Sequence, residues 1–330
     1  MARDSLSRRS FLAACSAAPA LGSGGAALRI GVTEWQLDKS LTVDSLSMAK
    51  RVGFDGVELA VGRQAVNGRL PLDSEALEAA YLAEAKKLKI AIAGISLNIL
   101  QVNFLKSDPL GPKWLADGIK VARRLRAHTV LVPFFGAANM KTRQEQDRVG
   151  DVLKELGPEA QSAGITLGLE DMLSAEDTIR IADRSKSSAV KVYYDVYNST
   201  NYGYDAVKEI LWLGKQRICQ FHFKEDRTHY LGSGRIDYAA VLKAIADIGF
   251  RGWANLETES PSKSIENDMA RNLGYIRSLN GKVPGLRMNA RHRRGHRGES
   301  VPWEPPRLFA PVDRDQPTRV YDDGNPESRV

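Results

Sequence analysis

The sequence predicts an α/β protein, a single-domain (β/α)8 TIM barrel, and three observations predict it. Short runs rich in β-branched and aromatic residues alternate with longer amphipathic stretches from residue 28 to residue 280, the pattern of a parallel sheet with crossover helices. The runs number eight: 28–35, 56–59, 90–97, 129–133, 166–170, 190–195, 218–223 and 253–257. Such barrels take about 250 residues as one domain, close to the length available.

Taken in order, the elements punctuate themselves. The first run is followed by Thr42, a cap for the first helical stretch, and by Gly53, placed where a left-handed residue ends a helix before the second run. Asp73 opens the stretch 73–88, in which Leu77, Tyr81, Leu82, Ala85 and Leu88 recur at helical spacing. The third and fourth runs follow, and Gly164 separates the next helical stretch from the fifth. After the sixth and seventh runs, the helical pattern 238–248 ends at Gly249, just before the eighth.

The flanks read differently. Ser7, Arg8, Arg9, Ser10, Phe11 and Leu12 set paired arginines before a short Ala-rich stretch ending in small residues, so 1–27 resembles a bacterial twin-arginine export signal. That address implies an exported, periplasmic protein; without it the chain would be cytoplasmic. The stretch 281–330 is rich in Arg, Pro and Gly without apolar period and is expected to be a disordered tail.

Charge excludes one class of partner. The whole chain carries +7, but residues 1–29 hold four basic and one acidic side chain and 281–330 hold ten and seven, leaving +1 on 30–280. A nearly neutral core lacks the footprint of a nucleic-acid binder. Cys15 lies in the leader and Cys219 in an apolar run, so a processed chain keeps one thiol and forms no internal disulfide. No apolar stretch reaches eighteen residues, so no membrane association is expected after processing.

Barrel enzymes carry their chemistry at the C-terminal ends of the strands. The fifth run ends in Glu170, the sixth in Asp195 and the eighth in Glu257, and the seventh carries His222. Their separations of 25, 27 and 35 residues are each about one βα unit, so the side chains should converge on one part of the mouth. Three carboxylates and an imidazole suit one divalent ion, Mn2+, Mg2+, Co2+ or Zn2+, and unpaired they would repel one another and resist burial. Glu259 and Asp226 compete with Glu257 and His222, but Glu257 follows directly on the apolar run and His222 lies inside its strand. Lys224, two residues past His222 on the same strand face, can hydrogen-bond a substrate oxygen or pair with a neighbouring acid. Arg227 either binds substrate or faces water. Glu34 and Glu58 end the first two runs, where pocket and structural roles both fit. Tyr193, Tyr194, Tyr197, Tyr202, Tyr204, Trp35 and Trp253 offer rings that stack on sugar or simply pack, and Leu231 to Gly234 forms a loop that approaches a ligand by its backbone or makes a plain turn.

Six segments together resemble the sugar phosphate isomerase/epimerase family of xylose isomerase-like TIM barrels. They are Val52-Gly53-Phe54-Asp55-Gly56-Val57-Glu58-Leu59, Gly164-Ile165-Thr166-Leu167-Gly168-Leu169-Glu170, Tyr194-Asp195-Val196-Tyr197-Asn198, Phe221-His222-Phe223-Lys224-Glu225-Asp226, Leu231-Gly232-Ser233-Gly234 and Gly252-Trp253-Ala254-Asn255-Leu256-Glu257. The resemblance implies one divalent metal held by Glu170, Asp195, His222 and Glu257. It implies a sugar or keto-sugar substrate whose α-proton leaves through a metal-stabilised enediolate, with Glu170 and Glu257 as the acid–base pair. Asn198 stands where some ketose epimerases of the family carry a substrate-contacting His, and that departure weighs against carrying over a ketohexose epimerase activity directly. The same scaffold supports a dehydratase or lyase if proton removal is followed by loss of a β-substituent. An abasic-site endonuclease would need more His ligands than His128, His222 and His229 supply, and the intact ligand set argues against a non-catalytic sugar-binding module. Family members often pair through their barrel faces, which leaves a homo-oligomer open.

Overall fold

The structure, a computed structural model, describes residues 27–289. Eight strands lie in it, β1 (Arg29–Thr33), β2 (Gly56–Ala60), β3 (Ala91–Ser96), β4 (Thr129–Pro133), β5 (Thr166–Glu170), β6 (Val190–Asp195), β7 (Ile218–Phe223) and β8 (Trp253–Leu256). Every neighbouring pair is parallel, and β1 pairs with β8 through Arg29↔Trp253 to Val32↔Leu256, so the sheet closes in sequence order. The expected (β/α)8 barrel is observed, and four of the eight strands have the bounds expected from sequence. The helices α1 (Asp44–Val52), α2 (Glu75–Leu88), α3 (Gly111–Arg124), α4 (Arg143–Ala163), α5 (Ala175–Arg184), α6 (Val196–Asn201), α7 (Ala206–Arg217), α8 (Tyr238–Asp247) and α9 (Ile265–Ser278) link the strands and wrap the sheet.

The two faces of the strands have different compositions. Ile30, Val32, Val57, Leu59, Ile95, Val130, Val132, Leu167, Leu169, Phe221 and Leu256, all buried, belong to the hydrophobic core that the helices share. The alternating positions of β2, β6, β7 and β8 carry Glu58, Tyr193, Gln220, His222 and Asn255, also buried and bonded to one another across the interior. Glycine makes room for them: a side chain at Gly31 would run into the Asn255 amide, and one at Gly56 would lie 2.5 Å from the Trp253 ring. Trp253, with the Arg29 guanidinium 4.1 Å over its ring, fills the N-terminal end of the barrel. This leaves the chemistry to the other end.

Helix ends follow local chemistry. Thr142 and Glu145 form a complete capping box at α4, and Gly53 and Gly164 end α1 and α4 at φ 105° and 70°, conformations open to glycine at little cost. Asp73 is not the cap of α2. Ser74 takes that position, and Asp73 turns instead to Arg69 (3.1 Å) and Arg124 (2.5 Å). At α1 the flanking residue is Val43, with Thr42 Oγ1 accepting from Asp44 N at 3.4 Å.

A boundary is expected from sequence at residue 280. Residues 281–289 continue the fold: Leu28 N donates to the Arg287 carbonyl at 2.8 Å, Leu28 bridges Met288, and Val283, Leu286 and Met288 are buried. Their apolar residues follow neither a helical nor a strand period, so packing continues where pattern stops. The expected export signal and the remainder of the expected tail lie outside the described residues. No helix among the described residues is long and apolar enough to cross a membrane.

Candidate metal centre at the barrel mouth

Glu170 ends β5, Asp195 ends β6, His222 is the penultimate residue of β7, and Glu257 follows β8 directly. Because the strands are parallel and neighbouring, these positions fall at one level: Asp195 is in register with His222, and His222 with Asn255. One donor atom from each of Glu170, Asp195, His222 and Glu257 lies within 4.8 Å of the others. His222 Nδ1 stands 2.8 Å from Glu170 Oε1 and 3.4 Å from Glu257 Oε2. The side chain of His222 is fully buried, and Glu170 and Asp195 expose 3% and 5%.

Asp195 has one oxygen engaged and one bare. Oδ1 accepts from Asn198 N at 2.8 Å, capping α6, whereas Oδ2 is buried without a hydrogen-bond partner. A buried, unpartnered carboxylate oxygen costs desolvation energy, and a cation among these four residues would offset it. The donor set therefore fits a hard or borderline divalent ion.

Charge is crowded here, and the groups respond. Burial pushes Glu170 up to about 8, with Glu257 and Asp195 adding to the rise and His222 opposing it. Asp195 is raised chiefly by burial. Burial also presses on Glu257, but Lys224, His222 and the Trp35 N–H outweigh it and hold the carboxyl below the usual range. For His222, burial disfavours the charge, yet Glu170, Glu257 and Glu58 together raise its pKa well above the ordinary value. Lys224 shows the same contest, raised by Glu257, Asp195 and Glu170 against its burial.

Around the cluster, the structure brings some expected residues close and leaves others apart. Lys224 Nζ donates to Glu257 Oε2 at 3.1 Å. Asn198 stands in the first turn of α6, half-buried beside Asp195. Arg227 sits on the rim, 61% exposed, with Nε 4.0 Å from Glu259 Oε1. Asp226, the competitor of His222, bonds His229 and Thr228 instead. The loop at Leu231 is a packed turn, its amide donating to Asn272 Oδ1 at 3.0 Å.

Two residues had no sequence signal for their contacts. Trp35, expected to stack or pack, donates its indole N–H to Glu257 Oε1 at 2.9 Å, and its ring lies edge-on to His222. Glu58 Oε2 lies 2.9 Å from His222 Nε2, on the far side of the imidazole. Their partners lie 222 and 164 residues away, so barrel closure alone brings them together. Glu34 is structural, its carboxylate taken by Tyr81, Ser45 and the Ala60 amide. Trp253 lies at the opposite end from the mouth.

A closed parallel barrel with a buried carboxylate–imidazole cluster at the C-terminal ends of its last four strands defines the class, a TIM barrel with a candidate metal site at its mouth. The xylose isomerase-like TIM barrel family model matches residues 46–279, and the chain belongs to that family. Among solved structures it is similar to L-ribulose 3-epimerase, with 18% identity and a TM-score of 0.64, covering 81% of this chain and all of that one. It is also similar to D-psicose 3-epimerase from Clostridium cellulolyticum H10, solved with D-tagatose, at 18% identity and TM-score 0.65 over 76% of this chain and 99% of that one. A third similar structure is the E. coli 3-keto-D-glucoside 4-epimerase, at 14% identity and TM-score 0.61 over 76% and 99% of the two chains. At these identities the likeness is one of fold. No curated protein matches the sequence.

Proposed function

We propose that the protein is a divalent-metal-dependent sugar isomerase or epimerase that moves a proton on the carbon next to a carbonyl. The observation that carries this reading is the convergence of Glu170, Asp195, His222 and Glu257 within 4.8 Å at the mouth. These four would hold one ion, Mn2+, Mg2+, Co2+ or Zn2+. When bound, the ion supplies Lewis acidity toward a carbonyl and an adjacent hydroxyl, which acidifies the C–H between them.

The chain's own residues do the rest. Glu170 and Glu257 come from non-adjacent strands, β5 and the end of β8, and approach the cluster from different sides. One takes the proton and the other returns it. Lys224 holds Glu257 and is placed to donate to a substrate oxygen where negative charge develops. Asn198 and, from the rim, Arg227 are the further substrate contacts in this reading. The names of the similar structures support the substrate class, since L-ribulose and D-psicose inverted at C3 and a 3-keto-glucoside inverted at C4 all react at a carbon beside a carbonyl. A sugar or keto-sugar is the substrate proposed here, and the paired arginines Arg8 and Arg9 support an exported enzyme that meets it outside the cytoplasm.

The test is metal content and proton exchange in the full chain. About one ion per chain, clearly reduced in His222→Ala, is expected. Exchange of the substrate α-proton with solvent deuterium is expected to disappear in Glu257→Gln, with metal binding partly kept. No bound metal under excess, or exchange at the normal rate in Glu257→Gln, overturns the reading. Exchange accompanied by loss of a β-substituent would make the enzyme a lyase.

A further inference from the structure

Glu58 lies outside the four-residue cluster, yet it meets His222 from below. Its Oε2 is 2.9 Å from His222 Nε2, and both side chains are fully buried. It reaches there from β2, across the barrel from β7, at a point where the β2–β3 register shifts between Val57 and Glu58. The extra residue at that shift is Ala93 on β3, whose carbonyl accepts from Gln220 Nε2. A second register shift falls between Val192 and Tyr193, the residue whose hydroxyl also meets Glu58.

The direction of the hydrogen bonds follows from one fixed amide. Gln220 Nε2 donates to the Ala93 carbonyl at 2.7 Å, which leaves Gln220 Oε1 as an acceptor. Asn255 Nδ2 donates to that oxygen at 2.9 Å and to the Tyr193 hydroxyl at 2.8 Å. The Tyr193 hydroxyl, having accepted from Asn255, has Glu58 Oε2 as its nearer acceptor at 2.8 Å, against 3.2 Å to Gln220 Oε1, which Asn255 already serves. Tyr193 Oη and, at 3.3 Å, Asn255 Nδ2 both direct hydrogens at Glu58 Oε2, so this oxygen is an acceptor. His222 Nε2 must then carry a hydrogen and donate it.

We infer that Glu58 is the positioning residue of the metal centre. By taking the Nε2–H it leaves Nδ1 as the nitrogen that faces the ion site among Glu170, Asp195 and Glu257. It also locks the ring plane, together with Tyr193, whose ring lies 4.6 Å from the imidazole. Metal-binding histidines are oriented in general by such an outer carboxylate. The inference rests on the proposed metal site and adds a residue to it that makes no contact with the ion.

The experiment uses the full chain and Co2+ as the probe, with affinity read from the visible absorption band of the bound ion. Glu58→Met, which fills the space without an acceptor, is expected to bind Co2+ about 10–100-fold more weakly and with a shifted band. Glu58→Gln, whose amide oxygen still accepts from Nε2, is expected to recover most of that affinity. A Glu58→Met variant with wild-type affinity and band overturns the positioning role alone. Wild-type protein that binds no Co2+, or His222→Ala that binds it equally well, overturns the metal site and the inference with it. If Glu58→Met does not fold, 15N spectra of the Zn2+-loaded wild type decide. Nδ1 as the metal-bound nitrogen and Nε2–H as the donor are expected, and Nε2 on the metal overturns the inference.

Discussion

Glu34 shows at the level of one residue what burial does to a carboxyl. It is fully buried, and that burial pushes it up to about 7, against the lowering influence of Tyr81, the Ala60 amide and Ser45. Between pH 4.5 and 7 the folded state holds a proton that the unfolded chain has released, so stability falls as pH rises through this window and levels off above it. The loss from this group is about 3 kcal/mol. Denaturant midpoints from pH 5 to 8 should therefore slope downward in the wild type and more gently in Glu34→Gln; identical slopes would remove Glu34 from the effect. Trp35, its neighbour, acts on Glu257 by one charge-assisted hydrogen bond. Trp35→Phe keeps the ring and removes the donor, which is worth about 1.5–3 kcal/mol, so deuterium exchange should slow by about 10- to 100-fold. The four cluster residues were legible because each stands at or beside a strand end, where the run of apolar residues stops. Glu58 and Trp35 were legible only as residues at strand ends. Nothing near them in the chain names His222 or Glu257 as partner, because those contacts depend on which strands face each other across a closed barrel.

Elements were legible to the extent that they have a period. The strands were read from continuous apolar runs with sharp ends, and Thr129–Pro133 and Ile218–Phe223 needed no adjustment. Cap positions shifted by one residue at α1 and α2, where Asp73 spends its carboxylate on Arg69 and Arg124 rather than on a helix amide. The segment 281–289 has no period and reads as part of the tail. It is nonetheless part of the base of the barrel, since Val283, Leu286 and Met288 are each at least 93% buried. A chain ending at Asn280 is expected to be less stable than one ending at Asn289 by several kcal/mol, given about 1.5–3 kcal/mol for each large apolar side chain buried. Equal melting temperatures would show that the segment packs without stabilising. At α4, Thr142→Ala removes one side of the capping box and should cost about 1 kcal/mol, with no change in metal content because neither Thr142 nor Glu145 belongs to the cluster.

At the scale of the whole molecule, an ion held by the cluster would couple its binding to folding. The cluster draws its ligands from four strands, so the unfolded chain has no such site. Ion at one hundred times its dissociation constant should add about 2.7 kcal/mol of stability, roughly a 5–10 °C rise in melting temperature for a domain of this size. His222→Ala should show little of that rise, and a full rise in the variant would place the ion elsewhere. The hydrogen bond from Leu28 to Arg287 has a further consequence. Leu28 and Arg287, near the two ends of the described residues, meet at the base, the end plugged by Trp253 and remote from the mouth. A short linker could join 27 to 289, and new ends could be cut at the exposed turn between Lys186 and Ser188, also at the base. Such a circular permutant should fold and load metal like the parent, and a cargo joined directly at residue 27 or 289 should leave the mouth open.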